Sequence, residues 1–410
     1  MSEFFNVLAP IDAVNLMVNR LQSVTDFETI PTSNAMGRIS SQNILSTENL
    51  PSVPRSTMDG IAVRSIDTFG ATENLPAYLQ IVDEVSMGIE PKIFLNQGEA
   101  VKTYTGSMLV NGADAVVMVE NTQTVDQTIT EVFKPVSAGE NVIQVGEDIK
   151  IGETILESGS LIRPQDIGGL IALGITGIPV HKKPNVAIIS TGDELIHPSK
   201  YPSPAQIRDI NTYTISALTL EAGGNPIEVG IVKDSIELQL QSAKNMLKES
   251  DLLVFSAGSS VSSRDITVKV INELGKPGVL AHGISFKPGK PTILAMIGDT
   301  PVIGLPGNPV SASVVYKMIG VPIINYLSGK KPNQWNPKIK AVLTQDVPSQ
   351  SGRQDTVQVN LSDKCGIPQA SPSFGNSNLI FTMIRSDGYL TVPIDKGGLY
   401  AGEEIDVTLY

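Results

Sequence analysis

Two lysines held between prolines and a glycine are the residues whose types and spacing most clearly suggest chemistry. Residues 287–291 read Lys-Pro-Gly-Lys-Pro, which places Lys287 and Lys290 three positions apart. Proline fixes φ and glycine opens turn conformations, so this segment is typical of a stiff arm that presents positive charge. Residues 304–309, Gly-Leu-Pro-Gly-Asn-Pro, have the same character and precede a predicted helix. The simpler alternative is a pair of tight surface turns.

A loop of small residues, 256–265, follows a predicted apolar strand and leads into a predicted helix. Backbone N–H groups at the positive end of a helix can surround a phosphate, and Gly258, Ser259 and Ser260 would allow close approach and hydroxyl contacts. The loop lacks the Gly-Lys-Ser/Thr ending of nucleotide triphosphatases. We therefore predict a phosphate pocket of a different kind.

Three carboxylates follow strand ends in the same region. Glu194 comes after the predicted strand 186–190, Asp234 follows the next strand, and Asp265 ends the small-residue loop. Ligands of parallel sheets bind at the carboxyl ends of the strands. Carboxylates around a phosphate would repel it unless a divalent cation intervened, so they predict a Mg²⁺ site. The alternative is helix capping, with Asp234 and Glu237 as a capping box and Asp265 capping the next helix.

Further compact polar turns occur in a β-rich stretch nearer the N-terminus. Residues 56–60 contain Asp59, residues 103–106 contain Thr105, and residues 146–149 contain Asp148. Each motif by itself is typical of an ordinary turn.

Composition bounds the class of protein. A chain of 410 residues should form two to four domains. The formal net charge of −12 argues against nucleic-acid binding, and an anion would need a local cationic pocket. The single cysteine excludes an internal disulfide. We see no secretory signal and no apolar run of membrane-spanning length, so we expect a cytoplasmic protein without a membrane partner.

The hydrophobic pattern predicts a multidomain protein of α/β and β structure. A helix is expected over 10–23, short strands over 46–149, and alternating strands and helices from 184 onward, with helices over 212–222, 235–250 and 266–274. The uniformly apolar strands of this last region predict a parallel sheet covered on both faces. Strand-like alternation returns after 337.

Taken together and in order, several segments resemble the molybdopterin molybdenumtransferase family, which includes the gephyrin E domain. The resemblance extends from about residue 10 to residue 409. The segments that carry it are 50–51, 56–63, 105–106, 112–117, 146–149, 190–195, 287–291 and 304–309.

The resemblance implies four domains. An elongated domain I would comprise 1–45 and 150–182, with an inserted β-rich domain II over 46–149. An α/β, doubly wound molybdopterin-binding domain III would span 183–331, and a C-terminal β-barrel domain IV would span 332–410. It also implies a homodimer with its cleft between domain III of one subunit and domain II of the other.

The resemblance implies that molybdate is inserted into adenylylated molybdopterin with release of AMP and the help of a divalent cation. A transient contact with the molybdopterin adenylyltransferase is a further expectation. The implied catalytic residues are Asp59, Thr105, Asp148, Glu194, Asp234 and Asp265, with Glu194, Asp234 and Asp265 nearest Mg²⁺. The implied substrate-binding residues are Gly258, Ser259, Ser260, Lys287, Lys290, Pro306, Asn308 and Ser377.

The chain departs from the family pattern at three places. Ala257 and Ser262 stand where the family usually has glycines, Ile143 and Gln144 stand where an arginine is common, and Val110 replaces a proline. These changes leave other readings open: a molybdopterin-binding scaffold with impaired turnover, or an enzyme that prefers tungstate. An unrelated α/β phosphohydrolase would explain the phosphate loop but not the remaining segments.

Overall fold

The computed structural model describes residues 7–22, 26–126, 128–256, 261–332 and 337–410, and only the backbone of 261–265. The first segment contains helix α1 (Pro10–Val18) and strands β1 (Phe27–Pro31) and β2 (Ile44–Leu45). Helix α1 is shorter than the predicted 10–23, because Arg20 and Leu21 donate to carbonyls only three residues back and the chain tightens into turns.

The next region is β-rich, as predicted. Its strands are β3 (Arg55–Ser56), β4 (Gly60–Val63), β5 (Ala77–Glu84), β6 (Glu99–Thr103), β7 (Ala115–Met118), β8 (Thr122–Thr124), β9 (Ile129–Val132) and β10 (Val142–Ile143). Six of them form one sheet in the order β7-β4-β6-β5-β9-β8. Neighbouring residues such as Val116 and Val117 belong to separate buried clusters on the two faces, because side chains alternate along a strand.

The chain then returns beside its first segment. This part contains β11 (Thr154–Leu156), α2 (Pro164–Ala172) and β12 (Gly177–His181). Strand β12 pairs antiparallel with β1, and β11 pairs antiparallel with β2. The β-rich region is therefore inserted between two segments that complete one another.

The α/β region follows. Its elements are β13 (Asn185–Thr191), β14 (Leu195–Ile196), β15 (Ile207–Arg208), α3 (Asn211–Glu221), β16 (Asn225–Val232), α4 (Ile236–Met246), β17 (Leu252–Ser256), α5 (Val261–Leu274), β18 (Pro277–His282), β19 (Phe286–Lys287), β20 (Ile293–Ile297), β21 (Thr300–Leu305), α6 (Pro309–Val315) and α7 (Val321–Leu327). The predicted strands and helices of this region are present, with ends shifted by a few residues.

The main sheet of this region has the order β16-β13-β17-β21-β20-β18. The first four strands are parallel, whereas β20 and β18 run antiparallel, so the expectation of a wholly parallel sheet is wrong for two strands. Strands β20 and β21 are joined by a tight turn at Gly298, whose φ is 57°, and so short a connection can only join antiparallel neighbours. Helices cover both faces, as in a doubly wound fold.

One helical run is long and apolar enough, by length and composition, to cross a membrane. It extends over Pro309–Leu327 and contains α6, a π-helical turn at Tyr316–Gly320, and α7. The expectation that no segment reaches this length is therefore wrong. In the structure 61% of its apolar window is buried, and Tyr316 bonds Thr219 of α3 through their hydroxyls (2.5 Å). This burial is typical of a core helix.

The C-terminal region forms a closed barrel of five strands. Its elements are β22 (Ile339–Leu343), β23 (Val347–Pro348), β24 (Gln354–Lys364), β25 (Ile367–Ser373), α8 (Ile380–Ile384), β26 (Gly388–Val392), β27 (Gly398–Leu399) and β28 (Glu404–Leu409). The barrel order is β24-β25-β22-β28-β26, closed by pairing of β26 with β24. Strand β19 pairs with β24, so the arm that carries Lys287 joins the α/β region to the barrel. The predicted fold class is confirmed.

Candidate active site

A cavity of about 740 Å³ lies where the α/β region meets the barrel. We call it the seam cavity. Five predicted substrate-binding residues line it: Lys287, Lys290, Pro306, Asn308 and Ser377. They come from three separate segments, of which the one with Ser377 is distant in sequence, so their convergence is a property of the fold rather than of any one turn.

The backbone of the lysine arm is fixed from both sides. Thr292 donates its hydroxyl to the carbonyl of Gly289 (2.7 Å), and the N–H of Ile284 donates to the carbonyl of Lys290 (3.0 Å). Gly289 has φ of 131°, and a β-carbon there would lie 2.2 Å from Val315 Cγ2. Only glycine fits this close approach. The lysine side chains are exposed on a backbone that cannot easily shift.

A second loop joins the α/β region to the barrel at the other side of the cavity. Asn308 Nδ2 donates to Ser377 Oγ (2.8 Å), and the N–H of Val310 donates to the carbonyl of Ser377 (3.1 Å). Asn308 precedes α6 without capping it through its side chain, and its amide instead contacts the barrel. The structure thus brings Asn308 and Ser377 into direct contact.

The lining of the seam cavity carries net positive charge in an acidic protein. Its charged residues are Lys287, Lys290, Arg353 and Asp355, which gives a formal charge of +2. Arg353 makes a bidentate pair with the buried Asp355, with Nε–Oδ1 of 2.6 Å and Nη2–Oδ2 of 2.9 Å. Within the part of the chain that the structure describes, the two lysines remain as the unpaired cations of the lining. Such an arrangement suits an anionic ligand.

Sequence reasoning missed Arg353. The one available signal is its spacing, because Arg353 and Asp355 lie two residues apart beside a predicted strand and so share a face. Nothing local indicates that this face meets the lysine arm.

Of the carboxylates predicted at the strand ends, the structure describes those of Glu194 and Asp234, and neither lines the seam cavity. Strands β13 and β16 are parallel neighbours with Thr191 opposite Val232, so the loops carrying Glu194 and Asp234 leave the same edge. The carboxylate of Glu194 folds back over Gly192, since a β-carbon at Gly192 would lie 2.7 Å from Glu194 Oε2.

The capping explanations of Asp234 and Asp265 are wrong. Helix α4 is capped by Ser235, whose hydroxyl accepts from the N–H of Leu238 (3.5 Å). Helix α5 begins at Val261, so Asp265 stands within the helix rather than before it. Gly258, Ser259, Ser260 and the side chain of Asp265 lie outside the described residues. Among described residues, no group of three His, Cys, Asp or Glu is placed to hold a metal ion.

A buried asparagine that sequence reasoning missed connects the strand ends to the seam cavity. Asn211, at the start of α3, donates Nδ2 to Ser256 Oγ (2.8 Å) and to the carbonyl of Gly307 (2.9 Å). Ser256 ends β17, and Gly307 lines the cavity. Asn211 therefore ties the loop that carries Asn308 to the central sheet.

We expect Asn211→Ala to destabilise the protein by about 1–3 kcal/mol, because one buried and one partly buried acceptor lose their donor. Asn225→Ala is the matched control, since Asn225 bonds Asn185 at the surface (2.8 Å) and should cost less than about 0.5 kcal/mol. Thermal unfolding of both variants measures the difference. Equal losses in the two variants would contradict a special role for Asn211.

Asp59 and Thr105 form a second, separate cluster in the β-rich region. The N–H of Thr105 donates to Asp59 Oδ1 (2.7 Å), and its hydroxyl donates to the same oxygen (2.9 Å). Both bonds lower the pKa of the exposed Asp59 carboxyl, and the bond from the N–H is the larger cause. Asp148 is exposed, and its N–H donates to the carbonyl of Leu50 (3.1 Å). None of these three residues lines the seam cavity of the same chain.

We expect Thr105→Val to raise the pKa of Asp59 while leaving it below its ordinary value, because the valine N–H still donates. In the wild type the lowered pKa of Asp59 stabilises the fold at pH values above the ordinary Asp pKa. This stabilisation is lost as the pH falls through the lowered pKa. The variant should lose less stability over that acid range. Carboxyl-detected NMR titration measures the pKa, with Thr122→Val, whose hydroxyl donates to a carbonyl, as control. An unchanged Asp59 titration would exclude the hydroxyl as a cause.

Comparison with known proteins covers nearly the whole chain. Residues 9–174 match the MoeA N-terminal region (domain I and II), residues 187–326 a probable molybdopterin binding domain, and residues 340–410 the MoeA C-terminal region (domain IV). The fold and these matches thus define a multidomain protein of the MoeA type, whose α/β region matches the molybdopterin-binding domain family.

Individual relatives agree. A molybdopterin biosynthesis protein of Methanocaldococcus jannaschii is 36% identical over 389 residues, with 92% of this chain and 90% of that protein covered. The molybdopterin molybdenumtransferase of Haemophilus influenzae is 30% identical over 405 residues, covering 95% and 96%. The crystal structure of a MoeA protein from Pyrococcus horikoshii has a TM-score of 0.86 at 30% identity, covering 99% and 100%.

The chain belongs to the molybdopterin molybdenumtransferase (MoeA) family of molybdenum cofactor biosynthesis enzymes. The resemblance seen in the sequence is confirmed.

Proposed function

We propose that this enzyme inserts molybdate into adenylylated molybdopterin and releases AMP in a Mg²⁺-dependent reaction. The observation that carries the proposal is the convergence of Lys287, Lys290, Asn308 and Ser377 in one cationic cavity of an acidic chain. Both substrates are anions, and neither would approach a protein of net charge −12 without such a local reversal of sign.

The two lysines would act as fixed charges toward phosphate or molybdate oxygens. Their backbone is held by Ile284 and Thr292, so little reorganisation is needed when charge develops on a ligand oxygen. The Asn308 amide and the Ser377 hydroxyl add neutral hydrogen-bonding groups that orient the ligand.

Glu194, Asp234 and Asp265 are the residues that we propose to hold Mg²⁺. Carboxylate oxygens are the ligands this cation prefers, and the loops bearing Glu194 and Asp234 leave adjacent parallel strands. Magnesium usually keeps waters and substrate phosphate oxygens in its coordination shell, so a full set of three protein carboxylates is not required. When bound, it would neutralise phosphate charge.

A homodimer is part of the proposal, because Asp59, Thr105 and Asp148 lie outside the seam cavity of their own chain. In a homodimer these residues of a second subunit could approach the strand-end carboxylates. We propose a cytoplasmic location and a transient contact with a molybdopterin adenylyltransferase, since an adenylylated pterin must be delivered. Light scattering of the purified protein tests the dimer directly.

The reaction is tested by incubating the purified protein with adenylylated molybdopterin, Mg²⁺ and either molybdate or tungstate, and measuring AMP. AMP release that depends on the oxyanion and stops with a chelator supports the proposal. Tight pterin binding without AMP above the blank would favour a scaffold, which the replacement of family glycines by Ala257 and Ser262 makes the main alternative. Faster release with tungstate would identify a tungstate-preferring enzyme.

A further inference from the structure

A second cavity has a volume of about 310 Å³, and among the described residues none that is predicted for the reaction lines it. Its lining comes from the first region, residues 36–39, 161 and 181–183, and from the α/β region, residues 220–223, 328 and 330. It therefore lies where these two regions meet. We call it the junction cavity.

The junction cavity is more cationic than the seam cavity. Arg38, Lys182, Lys183 and Lys330 line it together with one carboxylate, Glu221, so its formal charge is +3. Arg38 Nη2 pairs with Glu28 (2.6 Å) and also donates to the carbonyl of His181 (2.8 Å). Lys182 pairs with Asp26 at 3.2 Å. Lys183 and Lys330 have no ion pair among the residues that the structure describes, so their charge is available to a ligand.

Helix α3 ends in this lining, and three of its last carbonyls have backbone partners. Lysines near a helix end commonly offset unsatisfied carbonyls. Here the carbonyls of Leu218, Thr219 and Leu220 already accept the N–H groups of the three residues that follow the helix. These three carbonyls therefore do not need the lysines as hydrogen-bond partners.

Part of the lining is apolar and exposed. Met36 is 66% exposed, Leu161 43% and Leu220 59%. Pockets for small organic ligands generally combine an apolar wall with a few polar groups and have volumes from about 300 Å³ upward. The volume of the junction cavity lies at the lower end of this range, so a large ligand would not fit.

We propose that the junction cavity binds a small phosphate monoester with an apolar substituent. The phosphate would lie against Lys183 and Lys330, and the apolar group against Leu161 and Leu220. Because the cavity joins two regions of the fold, a bound ligand would stabilise their contact. The site is independent of the proposed reaction in the seam cavity.

The test uses phenyl phosphate as probe, with inorganic phosphate and phenol as its two halves, in ligand-observed NMR titrations of the full chain. Lys183→Glu/Lys330→Glu removes the cationic side, and Lys248→Glu/Lys364→Glu makes the same charge change at exposed lysines elsewhere. Lys290→Ala removes one of the two unpaired cations of the seam cavity. Leu220→Ser removes apolar wall at an exposed position and should not disturb folding.

We expect phenyl phosphate to bind the wild type, the control and Lys290→Ala alike. Its affinity should fall at least about tenfold, or 1.4 kcal/mol, in Lys183→Glu/Lys330→Glu. Leu220→Ser should weaken phenyl phosphate and leave inorganic phosphate unchanged. Equal binding to both double variants, loss of binding in Lys290→Ala, or equal affinity for phosphate and phenyl phosphate would each overturn the proposal. If Lys183→Glu/Lys330→Glu does not fold, the affinities of Leu220→Ser for phenyl phosphate and inorganic phosphate test the proposal by themselves.

Discussion

Gly289→Ala is expected to lower the thermal unfolding midpoint by roughly 5–10 °C, the largest stability loss among the changes considered. The added methyl would lie 2.2 Å from Val315 Cγ2, and Val315 is fully buried in the α/β core. Overpacking of this kind together with a φ of 131° that disfavours alanine costs about 3 kcal/mol. Relief by backbone movement would displace Lys287 and Lys290, so ligand binding should weaken as well.

Gly352→Ala is the matched control for this prediction. Gly352 also has positive φ, 87°, but a β-carbon there meets no atom within 4 Å. Gly352→Ala should lower the free energy of unfolding by about 1 kcal/mol, from backbone strain alone. The double variant Gly289→Ala/Val315→Ala should lose less stability than the sum of the losses in the two single variants, because the shorter alanine side chain at position 315 leaves room for the added methyl. Additive losses would show that the Val315 contact is not the cause.

Local sequence signals were sufficient for the α/β region because its elements are punctuated. The run from Val186 to Ile189 is wholly apolar, and α3 is followed by Gly223 and Gly224. Buried strands and helix stops of this kind are encoded within a few residues. The direction of β20 is also encoded locally, because only residues 298–299 join it to β21 and so short a link requires antiparallel strands. The direction of β18, in contrast, depends on its pairing with β20 across residues 283–292, which no local pattern reveals.

The candidate site shows the same division. Lys287 and Lys290 could be predicted because the prolines and glycine beside them mark a rigid arm. Asn211 and Arg353 could not, since their importance comes from contacts made only after folding. The N-cap of α4 could be predicted only to within one residue. Asp234 and Ser235 are both favourable capping residues, and the sequence alone does not show which of the two caps the helix.

The lysine arm yields the largest expected effect on function. Lys290→Ala should lower kcat/KM for AMP release at least about 100-fold, because a preorganised charge beside a reacting anion is lost. Lys290→Arg keeps the charge but changes its shape, and a loss of about tenfold is expected. The contact that holds the arm uses the carbonyl of Lys290, so neither change should disturb the fold.

Three measurements separate this role from a merely structural one. The unfolding midpoint of Lys290→Ala should stay within about 1 °C of the wild type, as for surface substitutions generally. Lys364→Ala, at an exposed hairpin of the barrel, should match the wild type in turnover. Wild-type turnover should fall as salt screens the partly exposed lysines, and Lys290→Ala should depend less on salt. Full turnover in Lys290→Ala, with the salt dependence of the wild type, would mean that the seam cavity does not use this charge.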